Sequence, residues 1–274
     1  MSAVLAEKLN HQPKPFLKWV GGKRQLMPEL LARVPLGFDT YFEPFLGGGA
    51  LFFSLLPEKA VLSDTNERLV RTYRAVRDDV DELIAELSTY PHDRVFFEEL
   101  RRVDIDALDD IQVAAWMIYL NKTGFNGLYR VNKSGGFNVP FGRYKNPTIC
   151  DPDRLLVASE ALQRAEILHG SFSEVTKLSK PGDFVYFDPP YVPLTETSSF
   201  TSYTKDGFGI DEQTLLRNTA VNLKAREVDV LLSNSSAGAV FDLYENFRIE
   251  EVYASRAINS KANGRGKVAE VLIR

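Results

Sequence analysis

The sequence predicts an α/β fold, one sheet carrying a mostly helical insertion, on three observations. The first is Phe184-Val185-Tyr186-Phe187, an apolar run of strand length that reads as a buried parallel strand. The second is Tyr41-Phe42-Glu43, a short strand that leads through Pro44-Phe45-Leu46 into Gly47-Gly48-Gly49. The third is a change of pattern after residue 67, where successive helical stretches replace the alternation of strands and helices.

A short helical pattern from Ala50 to Leu56 follows the glycines, and Val61-Leu62-Ser63 is a second strand ending in Asp64. Glu67 to Arg77, Val80 to Leu87, Val95 to Arg102 and Ile111 to Lys122 read as helices. Beyond Lys122 the chain is rich in Gly and Asn, with Arg and aromatic residues interleaved through Asn146, which predicts a loop region. From Glu166 the alternation returns. Ile167-Leu168-His169, Val228 to Ser233 and Glu270 to Ile273 read as strands. Asp211 to Arg226 reads as a helix whose first turn carries Asp211 and Glu212. Residues 1–67 and 151–274 are thus expected to share one domain, with 68–150 inserted between them.

Composition narrows the class. The 274 residues are 44% hydrophobic and 26% charged, which suits a globular chain with a large core. Cys150 is the only cysteine, so no intrachain disulfide can form and a reducing compartment is expected. His11, His92 and His169 lie far apart and no Cys-x-x-Cys occurs, so no metal site is expected. No apolar run approaches a membrane span, which points to a soluble, cytoplasmic protein. The net charge of −4 argues against a nucleic-acid partner, but its distribution argues the other way. Twelve acids lie between Asp78 and Asp110, whereas Ile111 to Cys150 holds Lys122, Arg130, Lys133, Arg143 and Lys145 and no acid. A stretch of one sign is the electrostatic footprint of a polyanion site, or else a solvated loop.

Asp188-Pro189-Pro190-Tyr191 ends the Phe184–Phe187 strand, at the edge where open α/β sheets place ligands. The proline after Asp188 keeps it extended, and two prolines offer carbonyls without N–H groups. Carboxylate, carbonyls and an aromatic ring suit a planar ring bearing an amino group, although a plain strand-ending turn has the same residues. The turn Phe45-Leu46-Gly47-Gly48-Gly49 lets a ligand approach the backbone, and Asp64 follows 17 residues after Gly47, near the spacing of an acid that holds a ribose hydroxyl. No Gly-Lys-Ser/Thr follows, so a phosphate-binding P-loop is excluded. A nucleoside without a phosphate clamp points to S-adenosylmethionine. Upstream, Lys18-Trp19-Val20-Gly21-Gly22-Lys23 is either a further ligand-binding element or an arm whose Trp19 covers the sheet edge.

Together, Lys18 to Lys23, Glu43-Pro44-Phe45-Leu46-Gly47-Gly48-Gly49, Asn126-Gly127-Leu128-Tyr129-Arg130, Phe137 to Tyr144 and Asp188 to Tyr191 resemble the Dam-type DNA adenine methyltransferases. The GATC-modifying members of restriction systems are the most similar, and five motifs in order cover the chain from about Phe16 onward. The resemblance implies a Rossmann-like S-adenosylmethionine-dependent methyltransferase sheet, formed by residues 1–67 and 151–274, with target recognition in 68–150. It implies methylation of the adenine 6-amino group in double-stranded DNA, within GATC, after base flipping. A monomer without an obligate protein partner is expected.

By the resemblance, Trp19, Lys23, Asp64 and Asp188 match positions that contact S-adenosylmethionine. Phe45, Gly47 and Gly49 belong to the same cofactor turn, and Phe172 can stack on the cofactor's adenine. Where related enzymes carry Gly-Asp-Phe, this chain has Gly170-Ser171-Phe172. Lys18 and Tyr144 match readers of the first guanine, and Phe125 matches the aromatic that fills the gap left by the flipped base. Asn126, Leu128, Arg130 and Pro140 match positions that contact bases or place the recognition hairpin. The expected chemistry has the Asp188 carboxylate and the Pro189 carbonyl accepting the two amine hydrogens, with Pro190 completing the turn and Tyr191 stacking on the adenine. Residues 193–209 read as a loop that grips phosphates, or as a plain surface loop. Arg256, Lys261, Arg265 and Lys267 add phosphate contacts or form a solvated face. Two other readings stay open here: the same fold acting on an RNA base or a glutamine amide, and a DNA-binding module without catalysis.

Overall fold

A computed structural model describes residues 12–194, 208–255 and 267–274, with the side chains of residues 254, 255, 267 and 268 left aside. Most of the 193–209 loop, together with Arg256, Lys261 and Arg265, lies outside the described residues. In chain order the main elements are α1 (Met27–Leu31), β1 (Tyr41–Glu43), α2 (Ala50–Leu55), β2 (Ala60–Asp64), α3 (Glu67–Asp78), α4 (Val80–Ser88), α5 (Arg94–Leu100) and α6 (Asp110–Thr123). Then follow α7 (Pro152–Leu162), β3 (Ala165–His169), α8 (Phe172–Val175), β4 (Phe184–Phe187), α9 (Ile210–Ala225), β5 (Asp229–Ser235), α10 (Gly238–Leu243), β6 (Ile249–Ser255) and β7 (Lys267–Ile273).

The fold is of the expected α/β class, with one mixed seven-stranded sheet in the order β3-β2-β1-β4-β5-β7-β6. β1 runs parallel to both β2 and β4, and β4 parallel to β5. β7 is antiparallel to β5 and β6. The order turns back at β1 and β4, so the segments leaving these two strands emerge at a topological switch point, where such sheets bind ligands.

By packing, the chain divides into two compact units. The first comprises residues 1–22, 47–56 and 64–169 and is mainly helical. Its central helix α6 is buried on nearly every side, from Val113 through Asn121, as an apolar helix must be when neighbours surround it. Asp109 and Gln112 form a capping box at its start. Arg74 donates to the Ile167 carbonyl and Arg77 to that of Ala165, which ties α3 to β3.

The second unit comprises residues 23–46, 57–63 and 170–274 and contains β1, β4, β5, β6, β7 and all of β2 but Asp64. β4 is buried along its whole length, in keeping with its unbroken apolar sequence. α8 and α10 had no sequence reading, and three further elements depart from it. α7 starts at a plain signal, Asp151 accepting from the Arg154 amide with Pro152 in the first turn, in a stretch to which the sequence reading gave no element. β6 was not anticipated, and its long antiparallel pairing with β7 is what orders it. β5 continues past Ser233 to Ser235, which brings buried polar side chains to its carboxyl end. Among the described residues no helix is long and apolar enough to cross a membrane.

Candidate functional site

In the second unit, β4 delivers Asp188 at its carboxyl end. Lys23 is 6% exposed, and its Nζ lies 2.7 Å from Asp188 Oδ1. Ser233 Oγ, from the neighbouring β5, donates to the same oxygen at 2.9 Å. The Lys23 ammonium also stands 4.6 Å from the centre of the Tyr191 ring, a cation–π distance. Tyr191 donates its hydroxyl to Glu270 Oε2 at 2.6 Å. Burial, and then the negative charge of Asp188, push the Tyr186 and Tyr191 phenols well above their usual range, so both remain donors.

The Asp188–Tyr191 turn is held from behind by amides. Gln213 Nε2 donates to the Pro190 carbonyl at 2.9 Å, and Asn234 Oδ1 accepts from the Val192 amide at 3.0 Å and the Ser235 amide at 2.8 Å. Asn234 Nδ2 donates to Gln213 Oε1, closing the network. Both amide side chains are fully buried, and a buried amide is costly unless its donors and acceptors are met. Two prolines deprive the turn of N–H groups, so much of its hold comes from side chains elsewhere.

Beside this turn, Phe45 stacks on Phe172 with ring centres 5.3 Å apart, and Phe187 and Phe208 pack around them. Ser171 stands where an acid was expected in relatives; its hydroxyl donates to Glu174 in the capping box of α8.

In the first unit, Gly47 has φ +47°, and a Cβ there would lie 2.7 Å from Trp19 Cδ1. Only glycine meets both conditions. Trp19 stacks on Tyr129 with centres 5.6 Å apart. Gly49, also left-handed at φ +63°, starts α2. Asp64 accepts from the Gly47 amide at 3.1 Å and the Asn66 amide at 2.9 Å. Burial raises its pKa while these two amides oppose the rise.

The same unit carries the basic loop. Two isolated bridges, Gly124 with Phe141 and Val131 with Phe137, make it a narrow hairpin. Phe125 is 48% exposed, and its amide donates to the Pro140 carbonyl at 2.8 Å. Asn126 next to it adopts φ +55°. Asn126, Arg130 and Pro140 are exposed and Leu128 is half-buried. Arg130 donates to Asn138 across the hairpin. Lys18 Nζ lies 4.8 Å from the centre of the Tyr144 ring.

Of the residues singled out in sequence, Lys23, Asp188 and Tyr191 meet in one corner, Phe45 and Phe172 in one stack, Trp19, Gly47 and Asp64 around one turn, and Lys18 and Tyr144 in one pair. Lys23, expected at the cofactor, pairs here with Asp188. Ser233, Asn234, Gln213 and Glu270 had no sequence assignment; the signal was a buried strand that turns polar at Ser233-Asn234-Ser235.

A family model for the D12 class of N6 adenine-specific DNA methyltransferases matches residues 19–258. The chain is 43% identical to the type II methyltransferase M1.LlaDCHI of Lactococcus lactis subsp. cremoris, over 100% of this chain and 98% of that protein. It is also 43% identical to the type II methyltransferase M.MjaIII of Methanocaldococcus jannaschii, over 92% and 95%. Identity to the DNA adenine methylase of Escherichia coli (strain K12) is 33%, over 94% of each chain. Matched over most of its length, the chain belongs to the D12 class of N6 adenine-specific DNA methyltransferases.

Proposed function

We propose that the protein methylates the 6-amino group of adenine within GATC in double-stranded DNA, with S-adenosylmethionine as donor and the adenine turned out of the helix. Adenine-specific DNA methylation follows from the family; the site, the donor and the flipping are the proposal. The observation that carries it is the Asp188 corner, a carboxylate at a strand end followed by two prolines and an aromatic ring.

The residues fit an adenosyl donor. Asp64 is fixed by two backbone amides, as suits a ribose-holding acid, and the Gly47 turn bears the Trp19 indole. Trp19, Gly47, Gly49, Asp64, Phe45 and Phe172 are assigned to the donor. Bound S-adenosylmethionine supplies an electrophilic methyl group. The chain's task is then to orient a weak amine nucleophile. Asp188 and the Pro189 carbonyl accept its two hydrogens and turn the nitrogen lone pair outward, while Tyr191 covers the ring. Asp188 Oδ1 already receives Lys23 and Ser233, so the amine is assigned to Oδ2. With the donor bound, the nitrogen would gain the methyl as the S–CH3 bond broke to leave a neutral thioether, and one proton would pass to solvent, which asks for no strong base. Orientation of this kind lowers a barrier by roughly 7–11 kcal/mol.

A base paired in a duplex reaches no such pocket, and flipping costs a few kcal/mol. The exposed ring of Phe125 is suited to fill the gap. Lys18, Tyr144, Asn126, Leu128, Arg130 and Pro140 are assigned to reading the site. Residues 1–67 and 151–274 would carry the chemistry and 68–150 the recognition, in a single working subunit. Plasmid treated with the protein and the donor should resist an endonuclease blocked by methylated GATC and yield to one that requires it. Cutting by the first and not the second would refute the GATC assignment.

A further inference from the structure

Asn121 lies in the last turn of α6, on a helix whose other buried residues are nearly all apolar. It is 2% exposed, and its amide is committed to two segments distant in sequence. Its Oδ1 accepts from the Lys18 backbone amide at 2.8 Å, and its Nδ2 donates to the Lys18 carbonyl at 2.8 Å. The second Nδ2 hydrogen reaches the Gly127 carbonyl at 2.8 Å. A single side chain thus pairs both backbone groups of Lys18, as an adjacent strand would, and adds the turn at residues 125–127.

The contacts around it are close. A Cβ on Gly127 would lie 2.5 Å from Lys18 Cδ, so the Lys18 stem packs directly on this turn. A Cβ on Gly142 would lie 2.6 Å from the Tyr144 ring, over which the Lys18 ammonium stands. The end of α6 anchors the hairpin as well: the Thr123 carbonyl accepts from the Gly142 amide at 2.8 Å. A polar side chain placed inside an apolar helix is costly unless its donors and acceptor are met, and here Lys18 and Gly127 meet them.

We infer that Asn121 is the positioning residue for site reading: it holds Lys18 and the 125–127 turn in the register that sets the Lys18–Tyr144 pair. This rests on the base-reading role proposed for Lys18 and Tyr144. Asn121 itself touches no base; it acts through the backbone it binds.

The test compares methylation of short duplexes carrying GATC with duplexes changed at the first position. Asn121→Asp keeps size and the acceptor for the Lys18 amide but loses both donors. Its selectivity, as the ratio of kcat/KM for the two duplexes, should fall about tenfold, the loss of one good base contact. Melting temperature should fall, because two carbonyls lose their donors, whereas donor affinity should change little and adding Lys18→Ala should cost no further selectivity. An equal fall on both duplexes, with the ratio intact, would mean a merely structural role and overturn the inference. Lys18→Ala is measured alongside: if it loses selectivity while Asn121→Asp keeps it, the positioning role is wrong and the reading role stands. If Lys18→Ala keeps full selectivity, the reading role fails and takes this inference with it. Should Asn121→Asp not fold, Asn121→Ser takes its place, and hydrogen exchange of the wild-type Lys18 amide decides independently. Slow exchange supports the inference; exchange as fast as an open amide overturns it.

Discussion

The Asp188 turn is held by side chains from other elements, Lys23, Ser233, Gln213 and Asn234, whereas the 124–144 hairpin is held by its own backbone along its length and by the Asn121 side chain at the 125–127 turn. Around the turn the supporting polar groups are buried and paired; on the hairpin Phe125, Asn126, Arg130 and Pro140 stay exposed. The difference fits the roles proposed for the two regions. A group that orients a nucleophile works by being fixed before the ligand arrives. Groups that read a duplex must remain accessible to it.

The contrast breaks most readily at Asp188. Asp188→Ala should lower kcat by about 100- to 1000-fold or more, as for loss of one preorganised group, while duplex affinity in a binding assay stays near wild type. Turnover close to wild type would remove the carboxylate from the chemistry. Asn234→Ala is expected to be next in size. It strips the Val192 and Ser235 amides of their acceptor, each costing about 1–3 kcal/mol if left unpaired. Melting should drop by several degrees and kcat by about tenfold, with KM for duplex little altered. A stability loss with unchanged kcat would show that the amide network supports the core and not the turn.

On the hairpin the expected effects fall on selectivity. The exposed Arg130 donates to a half-buried Asn138, so Arg130→Ala should leave melting almost unchanged. Discrimination against altered sites should fall by about 1–3 kcal/mol, read as ratios of kcat/KM. Uniform weakening on every sequence, with a smaller salt dependence, would make Arg130 a phosphate contact.

Much of this was legible in advance, for reasons that differ by residue. β1 and β4 were read to the residue because short apolar runs bounded by proline and glycine leave little choice. Trp19, Gly47 and Asp64 lie near one another because a strand-to-helix turn and the next strand end are local features of the chain. The hold on Asp188 was not legible, since Lys23 and Ser233 reach it from distant segments through side chains. Hydrophobic periodicity carries no information about which polar group a buried amide meets. β6 escaped for a related reason: Ile249-Glu250-Glu251-Val252 has too little alternation to declare itself, and pairing with β7 decides it.

Lys122 gives the smallest effect and the sharpest view of the end of α6 at rest. It lies in the last turn of α6, next to Asn121, and its pKa is pushed down to about 8, first by burial and then by the charges of Arg154 and Lys18. The unfolded lysine titrates near 10.5. Between about pH 8 and 10.5 the unfolded chain therefore binds more protons than the folded one, so this residue's contribution to stability rises with pH across that window. Below it the buried ammonium is a standing cost. Lys122→Met keeps the apolar stem and removes the charge. At neutral pH it should melt higher, by a few degrees for a gain of about 1 kcal/mol, less than the full shift implies because the side chain is only partly buried. Thermal melts of both proteins across pH 7 to about 10.5 should converge as wild type gains what the variant already has. Parallel curves would mean that Lys122 reaches water freely, and that the region around α6's end carries no stored repulsion for a polyanion to relieve.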